Sequence, residues 1–289
     1  MKIWIDGKIV DEGAAHVAVT DHGLLYGDGI FEGMRVLNGR VFRIERHLDR
    51  LEFGARTLLL SLPYGRPQIR AIVEDTVRAF GQREAYVRLV VTRGVGPLGV
   101  DPTTCPRANL FCIAATIKLF SEEQRERGLA MITSSYRRPS ADVLDVRVKS
   151  LNYLGSVLSK LEARQQGADE ALLLNQRGHI AEAAVANVFA LRGQTLSTPP
   201  ASDGCLEGIN RGAVLQLASK IGLTAEERSL GRADLLLADE VFLTGSGAGI
   251  VAVRALDGRP LGEGKRGPVT ARLGELHRAL AESEGTELF

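Results

Sequence analysis

The sequence predicts an α+β (mixed α/β) protein of two domains, and three observations lead to this prediction. Segments rich in valine and isoleucine cluster along the chain, with separate amphipathic helical segments among them. The 289 residues are enough for two domains of ordinary size. A polar, charged stretch at residues 119–127 separates two β-rich blocks. We therefore expect a small N-terminal domain over 1–118, a linker over 119–127 and a large C-terminal domain over 128–289.

The elements of the first domain follow from turn and periodicity signals. Asp6-Gly7 lies between two short apolar runs at 3–5 and 8–10, which is typical of a β-hairpin. Leucines and alanines at helical spacing predict one helix, and Pro67 and Gly81 bracket a second. The expected elements are a strand over 41–44, helices over 45–60 and 67–80, and strands over 85–92 and 110–118.

The second domain is predicted to begin with a strand over 129–134, followed by a short β-rich run over 146–149. A helix over 151–166 has Leu151, Leu154, Leu158 and Leu161 on one face, and Gly167 ends it. The remaining expected elements are strands over 170–174, 185–191, 240–244 and 250–253, and helices over 210–221, 233–238 and 269–283.

Composition excludes several classes of function. The net charge of +1 argues against nucleic acid or an anionic membrane as a partner. The three cysteines and five histidines show no metal-ligand spacing, so we expect no metal. The first residues contain no apolar signal core and no run reaches membrane-spanning length, so we expect a cytoplasmic protein.

Lys149 is the most informative residue. It is one of only seven lysines and lies among apolar residues where the predicted β-rich run meets the predicted helix. Desolvation at such a position favours the uncharged amine, which can attack a carbonyl. The natural partner is an aldehyde cofactor, pyridoxal 5′-phosphate (PLP). A lysine that merely ends a strand is the alternative, and the rest of the chain argues against it.

PLP also needs an anion site for its phosphate, and the sequence has candidates. A glycine-containing run at 204–211 leads into an apolar helix with Asn210 near its start, where backbone amides would be available. An ordinary glycine-started helix is the alternative reading. A second glycine-rich turn at 244–249 offers amides and the Ser246 hydroxyl, and Arg50 could add a bidentate contact.

Two further residues could contact the cofactor ring. Glu182 lies in a stretch of alanine and valine, where a carboxylate is costly unless it has a cationic partner such as a protonated pyridine nitrogen. Tyr153 follows Lys149 by four residues, about one helical turn, and could reach the phenolic oxygen. Packing in the core with a satisfied hydroxyl is the alternative for Tyr153. The run at 93–99 looks like a phosphate loop, but Pro97 makes it a turn.

Taken in order, these pieces resemble the fold-type IV PLP-dependent enzymes, and among them the branched-chain amino acid aminotransferases. The resemblance covers nearly the whole chain. It is carried by seven stretches in the family's order, namely 22–33, 47–51, 85–88, 148–154, Glu182 with Asn187, 206–211 and 244–248.

The resemblance implies a role for each matching residue. Lys149 would form the Schiff base with PLP and carry the proton, Glu182 would bind the pyridine nitrogen, and Tyr153 the phenolic oxygen. The other implied cofactor contacts are Leu206 against the ring, the turn at Gly208, and Arg50, Ile209, Asn210 and Ser246 around the phosphate. The implied substrate contacts are Phe31, Tyr86, Arg88, the amides of Ser246 and Gly247, and Tyr26 offered across a dimer interface.

The chain departs from the family pattern at three places. Asn210 stands where the family often has threonine, so one hydroxyl contact to the phosphate is lost. Residues 248–253 read Ala-Gly-Ile-Val-Ala-Val where relatives carry Ala-Glu-Ile-x-Pro-Val, which alters the edge of the substrate site. The spacing from Lys149 to Tyr153 is one residue shorter than in the longer bacterial branched-chain enzymes, and it matches shorter archaeal-like forms and D-amino-acid aminotransferases.

The function implied is ping-pong transfer of an amino group between branched-chain L-amino acids and 2-oxoglutarate. Arg88 would pair with the γ-carboxylate, with Arg93 as second choice. The alternatives are a D-amino-acid aminotransferase, a PLP lyase resembling aminodeoxychorismate lyase, and a PLP-binding protein without turnover. A homodimer or higher homo-oligomer is expected. The order of preference among leucine, isoleucine and valine stays open.

Overall fold

The computed structural model describes residues 1–289. Contacts divide the chain into two compact units. Unit 1 comprises Met1–Ile117, Val148–Asn152 and Ala281–Phe289, and unit 2 comprises Lys118–Arg147 and Tyr153–Leu280. Lys149 therefore belongs to unit 1. The predicted domain boundaries assume one continuous segment for each domain, whereas both compact units are discontinuous; the boundaries themselves stay a prediction.

Unit 1 contains a seven-stranded sheet in which every neighbouring pair is antiparallel. The strand order is β16-β4-β3-β5-β6-β1-β2. The strands are β1 (Lys2–Ile5), β2 (Lys8–Val10), β3 (Gly29–Leu37), β4 (Arg40–Val41), β5 (Ala85–Thr92), β6 (Asn109–Ala115) and β16 (Thr286–Glu287). The helices are α1 (His22–Tyr26), α2 (Ile44–Thr57) and α3 (Arg66–Phe80).

The core of unit 1 lies between this sheet and helices α2 and α3. Met34, Val87 and Leu89 of the central strands are fully buried and share one hydrophobic cluster with Leu48 and Leu51 of α2. Strand β3 was not predicted as a separate element. The predicted strand over 41–44 is largely wrong, because Arg43 adopts a left-handed backbone conformation and α2 begins at the next residue.

Unit 2 contains a mixed nine-stranded sheet. The path is β12-β11-β10-β13-β14-β7-β8-β9, and β15 pairs with β14. The strands are β7 (Leu129–Arg137), β8 (Glu170–Leu174), β9 (Ile180–Ala183), β10 (Asn187–Arg192), β11 (Thr195–Thr198), β12 (Thr224–Glu227), β13 (Glu240–Gly245), β14 (Gly249–Leu256) and β15 (Arg259–Pro260). The helices are α4 (Glu122–Arg127), α5 (Ala141–Leu144), α6 (Leu154–Gln165), α7 (Ile209–Lys220), α8 (Arg232–Leu236) and α9 (Pro268–Ser283).

Helices α7 and α9 pack on strands β10 and β13 through one apolar cluster. Val214 and Leu217 of α7 and Leu273 of α9 join the stacked rings of Phe189 and Phe242 in this cluster. The Glu240 carboxylate accepts bonds from the first-turn amides of α9 at 3.0 and 2.7 Å, which satisfies donors that a helix start leaves unpaired. These contacts fix α9 against α7.

The segment around Lys149 differs from its prediction. Residues 146–149 form a turn and not a strand, and α6 begins only at Leu154. Tyr153 is the N-cap of α6 and has non-helical backbone angles, so it is not one helical turn from Lys149. The four-residue spacing therefore carries no geometric argument.

The leucines of α6 lie on a different side of the helix from the one expected. The residues that α6 buries are Ser156, Ser159 and Ala163. Leu154 and Leu161, predicted to face the core, are 68% and 53% exposed. The predicted stripe is present, but these two leucines do not face the core.

Across all nine helices, none combines the length and the apolar character that crossing a membrane requires.

Candidate active site

Lys149 is held on the first strand of the central hairpin of unit 1. The Phe31 amide donates to the Lys149 carbonyl at 2.9 Å, and the Leu151 amide donates to the Gly29 carbonyl at the same distance. A Cβ on Gly29 would come within 2.6 Å of the Val91 carbonyl oxygen, so only glycine permits this close pairing. The Lys149 amine is half-buried and lies 4.4 Å from the centroid of the Phe31 ring.

Phe31, Tyr86 and Arg88 share one face of the sheet. Gly33 pairs with Arg88 and Phe31 with Val90, so the side chains of these alternate residues point the same way. The Arg88 guanidinium lies 4.4 Å from the Phe31 centroid and 3.4 Å from the Tyr86 hydroxyl. A Cβ on Gly33 would lie 2.1 Å from that hydroxyl, so glycine makes room for the tyrosine.

This face combines apolar walls with one cation. The Arg88 Nε is buried and donates to no acceptor, although buried donors are normally paired. An anionic group of a ligand would satisfy it. Arg93, the second-choice partner for a substrate carboxylate, is instead bidentate with Asp28 at 2.8 and 3.1 Å.

The opposite face of β3 holds a buried charge cluster. The Glu32 carboxylate has no exposed surface, accepts two bonds from Arg50 at 2.7 Å each, and contacts His47 Nδ1 at 2.6 Å. Burial alone would raise the pKa of Glu32, but Arg50 and His47 outweigh it and lower this pKa to about 2. Burial lowers the pKa of His47, and Glu32 opposes this only in part.

The Arg50 guanidinium is therefore engaged with a carboxylate of its own chain. Its Nε and one terminal nitrogen bind Glu32, and this fork-on-fork geometry fixes the plane of the guanidinium. The sequence did not single out Glu32. The predicted contact of Arg50 with a phosphate stays a prediction.

In unit 2, Glu182 is buried at the end of β9 and is held by several donors. Arg138 lies 2.9 Å from Oε1. The Asn187 side-chain amide and the Leu206 backbone amide each lie 3.3 Å from Oε2. The prediction that Glu182 needs a cationic partner is met within the chain by Arg138, which sequence reasoning missed because no local pattern marks it.

The start of α7 presents the amides expected of an anion site. Gly208 is the N-cap, with Ile209 and Asn210 in the first turn. Asn187 donates to the Leu206 carbonyl at 2.8 Å, and a Cβ on Gly208 would lie 2.0 Å from the Asn187 oxygen. Glycine at 208 is thus required for this packing. Asn210 is not the cap itself, as expected from the sequence, but follows it by two residues.

Ser246 joins the α7 start from the turn between β13 and β14. The Asn210 side-chain amide donates to the Ser246 hydroxyl oxygen at 3.1 Å. Arg125 donates to the Ala248 carbonyl at 2.9 Å and so supports the turn, which also contains Gly247. Two of the predicted phosphate residues are therefore adjacent. Amides at a helix start with a hydroxyl beside them suit a phosphate group.

Comparison with known proteins identifies the family. The family model described as amino-transferase class IV matches residues 29–256. This chain belongs to the class IV aminotransferases. The predicted family and its two-domain α+β fold are confirmed.

Individual relatives of this aminotransferase agree. A putative branched-chain-amino-acid aminotransferase of Methanocaldococcus jannaschii is 43% identical over 289 residues, which is 100% of this chain and 99% of that protein. The crystal structure of a branched-chain aminotransferase from Escherichia coli has a TM-score of 0.94 at 32% identity and covers 99% and 96% of the two chains. A branched-chain aminotransferase from the source abbreviated T.th., complexed with N-(5′-phosphopyridoxyl)-L-glutamate, has a TM-score of 0.92 at 33% identity with the same coverage.

The two predicted tyrosines of the aminotransferase site have different surroundings. Tyr26 ends α1 with 36% of its surface exposed, and its hydroxyl accepts a bond from the Gly99 amide at 2.8 Å. Tyr153 is half-buried at the N-cap of α6. Exposure of Tyr26 in the single chain is compatible with the predicted offer to a neighbouring subunit, which stays a prediction.

Proposed function

We propose that this class IV aminotransferase moves an amino group between branched-chain L-amino acids and 2-oxoglutarate by a ping-pong mechanism, with PLP as its cofactor. The observation that carries the proposal is a half-buried lysine amine beside the face formed by Phe31, Tyr86 and Arg88. The face offers apolar surface for an aliphatic side chain and one cation for a carboxylate. Relatives similar over nearly the full chain bear the name of this activity.

The donor set of the chain fits PLP. The amides that begin α7 and the adjoining Ser246 hydroxyl suit its phosphate, and the buried Glu182 carboxylate suits a protonated ring nitrogen. When bound, PLP supplies an electron sink for the Cα atom of an amino acid. The residues that would hold it are Lys149 through a covalent bond, Glu182, Tyr153, Leu206, Gly208, Ile209, Asn210, Ser246 and Arg50.

Lys149 is proposed as the residue that moves the proton. Its Nζ, in the uncharged form, is the base that accepts the proton from the Cα atom of the amino acid. The nearby Phe31 ring and the half-buried position limit hydration of the amine, which disfavours its charged form.

Arg88 is proposed to give the pocket its second substrate. An uncharged side chain such as that of leucine would lie against Phe31 and Tyr86, whereas the γ-carboxylate of 2-oxoglutarate would pair with Arg88. The buried Nε of Arg88, which has no acceptor, supports this role. The α-carboxylate, common to both substrates, is assigned to the Ser246 and Gly247 amides.

We also propose a homodimer or higher homo-oligomer that works in the cytoplasm. The exposed leucines of α6 support self-association, because large exposed apolar side chains in a row favour an interface. Tyr26 would complete the substrate pocket of the neighbouring subunit. The net charge of +1 supports small-molecule substrates and no nucleic-acid partner.

The proposal is tested by incubating PLP-loaded protein with L-leucine and 2-oxoglutarate and measuring the glutamate formed. Parallel reactions replace L-leucine with L-isoleucine, L-valine or D-alanine. We expect glutamate from the branched-chain L-amino acids and none from D-alanine. Transfer from D-alanine without transfer from any branched-chain L-amino acid would overturn the substrate assignment.

A further inference from the structure

We propose that His277 is a positioning residue that orients the Asn210 side chain, so that the Ser246 hydroxyl is left to donate to the cofactor phosphate. This inference rests on the proposed function, since it assumes that Ser246 and the start of α7 bind that phosphate. His277 lies in no stretch that the sequence analysis singled out. It reaches the site from α9, far along the chain.

The three side chains form a continuous hydrogen-bonded row within unit 2. His277 Nε2 lies 2.7 Å from Asn210 Oδ1, and Asn210 Nδ2 lies 3.1 Å from Ser246 Oγ. His277 and Asn210 are 7% and 4% exposed. Water therefore has little access to either group, and each relies on its neighbours in the row.

The direction of this row matters because the two ends of an amide differ. The carboxamide oxygen only accepts, and its NH2 group only donates. When His277 carries its proton on Nε2, Asn210 turns Oδ1 towards the imidazole and Nδ2 towards Ser246. Ser246 Oγ then accepts a bond, and its single O–H remains to donate to another acceptor.

The reversed amide would have the opposite effect. Asn210 Oδ1 would then face Ser246 and accept its O–H, which would remove that proton from a bound anion. His277 selects between these two orientations because an N–H donor at Nε2 requires an acceptor opposite it. An apolar residue at 277 would leave the amide free to take either one.

The role is specific to a chain with asparagine at 210. Where relatives often carry threonine, the hydroxyl at that position is available to a phosphate; here Ser246 supplies the hydroxyl and Asn210 sets its direction. The position of His277 is itself fixed by packing, because Leu273 and Leu276 of α9 join the apolar cluster of α7. Glu240 caps the start of α9.

The test compares cofactor binding with and without the phosphate. Apoprotein is titrated with PLP and, separately, with pyridoxal, which lacks the phosphate, and the ratio of the two dissociation constants is measured. We expect His277→Leu to weaken PLP about tenfold, the scale of one hydrogen bond to a charged group, and to leave pyridoxal unchanged. His277→Gln, whose amide can donate from a similar position, should stay within about twofold of the original ratio.

Two controls separate positioning from stability. Leu276→Ala removes packing from the same helix without touching Asn210, so it should lower the melting temperature and leave the ratio unchanged. Asn210→Thr breaks the link between His277 and Ser246, so His277→Leu should no longer alter the ratio in that background. If His277→Leu does not fold, His277→Asn, which is too short to reach Oδ1, is measured in its place with the same expected loss.

The outcomes distinguish this inference from the proposed function. An unchanged ratio in His277→Leu, together with a lowered PLP affinity in Ser246→Ala, would overturn the role of His277 alone. An unchanged ratio in both variants would overturn the phosphate site itself. Equal weakening of PLP and pyridoxal by His277→Leu would reduce His277 to a structural residue and so contradict the proposal.

Discussion

Glu32 is a charged residue in the interior of unit 1, and its environment explains how the fold tolerates it. Removing a carboxylate from water is costly unless charged partners and hydrogen bonds compensate. Arg50 and His47 supply these partners, and they lower the pKa of Glu32 to about 2. The cluster ties strand β3, which carries Phe31 on its other face, to helix α2.

The Glu32 cluster predicts a pH dependence of stability. Because the folded-state pKa of about 2 lies below the ordinary value of 4.5, the ionised carboxylate stabilises the fold above pH 4.5, and this stabilisation is lost as pH falls towards 2. The difference corresponds to roughly 3 kcal/mol. The lowered pKa of His47 acts in the same direction below its ordinary value of 6.5.

The variant Glu32→Gln tests this account in urea unfolding experiments between pH 7 and pH 3. We expect its free energy of unfolding to be lower by roughly 3 kcal/mol at pH 7 and to fall less steeply than that of the unmodified protein as pH decreases. Glu263→Gln, at an exposed carboxylate paired with Lys265, is the control and should change neither quantity. A pH dependence in Glu32→Gln as steep as in the original protein would contradict the assignment.

Arg88 is expected to discriminate between the two substrates. Arg88→Leu should raise KM for 2-oxoglutarate by about 10- to 100-fold, because the γ-carboxylate loses its charged partner, and should change KM for L-leucine by less than about threefold. Steady-state kinetics with each substrate varied in turn measures both constants. If Arg93→Leu and not Arg88→Leu raised KM for 2-oxoglutarate, the carboxylate partner would be Arg93.

At the scale of elements, the sequence predicted long apolar strands well and missed strands that carry function. The predicted bounds of β5 and β8 agree with the structure because continuous Val, Leu and Ala runs favour buried strands. Strand β3 was missed because Gly29, Glu32 and Gly33 interrupt its apolar pattern. Those residues serve close backbone pairing, the buried charge cluster and the fit of Tyr86, so local pattern and function conflict there.

Helix α6 shows why the apolar face of a helix does not by itself identify the core. Small buried side chains, Ser156, Ser159 and Ala163, let this helix approach strands β7 and β8 closely. The leucines are left for another surface. We therefore expect them to lie in the interface of the proposed oligomer.

The double variant Leu154→Ser and Leu161→Ser tests this assignment of the leucines. It should lower the molecular mass in solution from that of an oligomer to that of a single chain, as measured by sedimentation equilibrium, while the chain stays folded by circular dichroism. Val143→Ser, at a residue 75% exposed on α5, should leave the mass unchanged. An oligomer undisturbed by the α6 variant would exclude these leucines from the interface.

At the scale of the whole molecule, motif order allowed the family to be predicted, and the supporting contacts could not be. Lys149, Glu182 and Ser246 lie in stretches whose sequence is distinctive. Arg138 beside Glu182 and His277 beside Asn210 come from elements distant in sequence, the latter pair 67 residues apart. No periodicity or turn signal links such residues, because their proximity arises only from tertiary packing.

The central claim is that Lys149 carries the amino-transfer chemistry for branched-chain L-amino acids. Its most direct test is the visible absorbance of PLP-loaded protein during anaerobic addition of L-leucine, with D-alanine in a parallel sample. Lys149→Ala and the exposed-lysine variant Lys265→Ala serve as the matched pair.

We predict that L-leucine alone bleaches the cofactor band, in the original protein and in Lys265→Ala. Lys149→Ala should lack the band and all turnover. Bleaching by D-alanine alone, or full turnover by Lys149→Ala, would contradict the account.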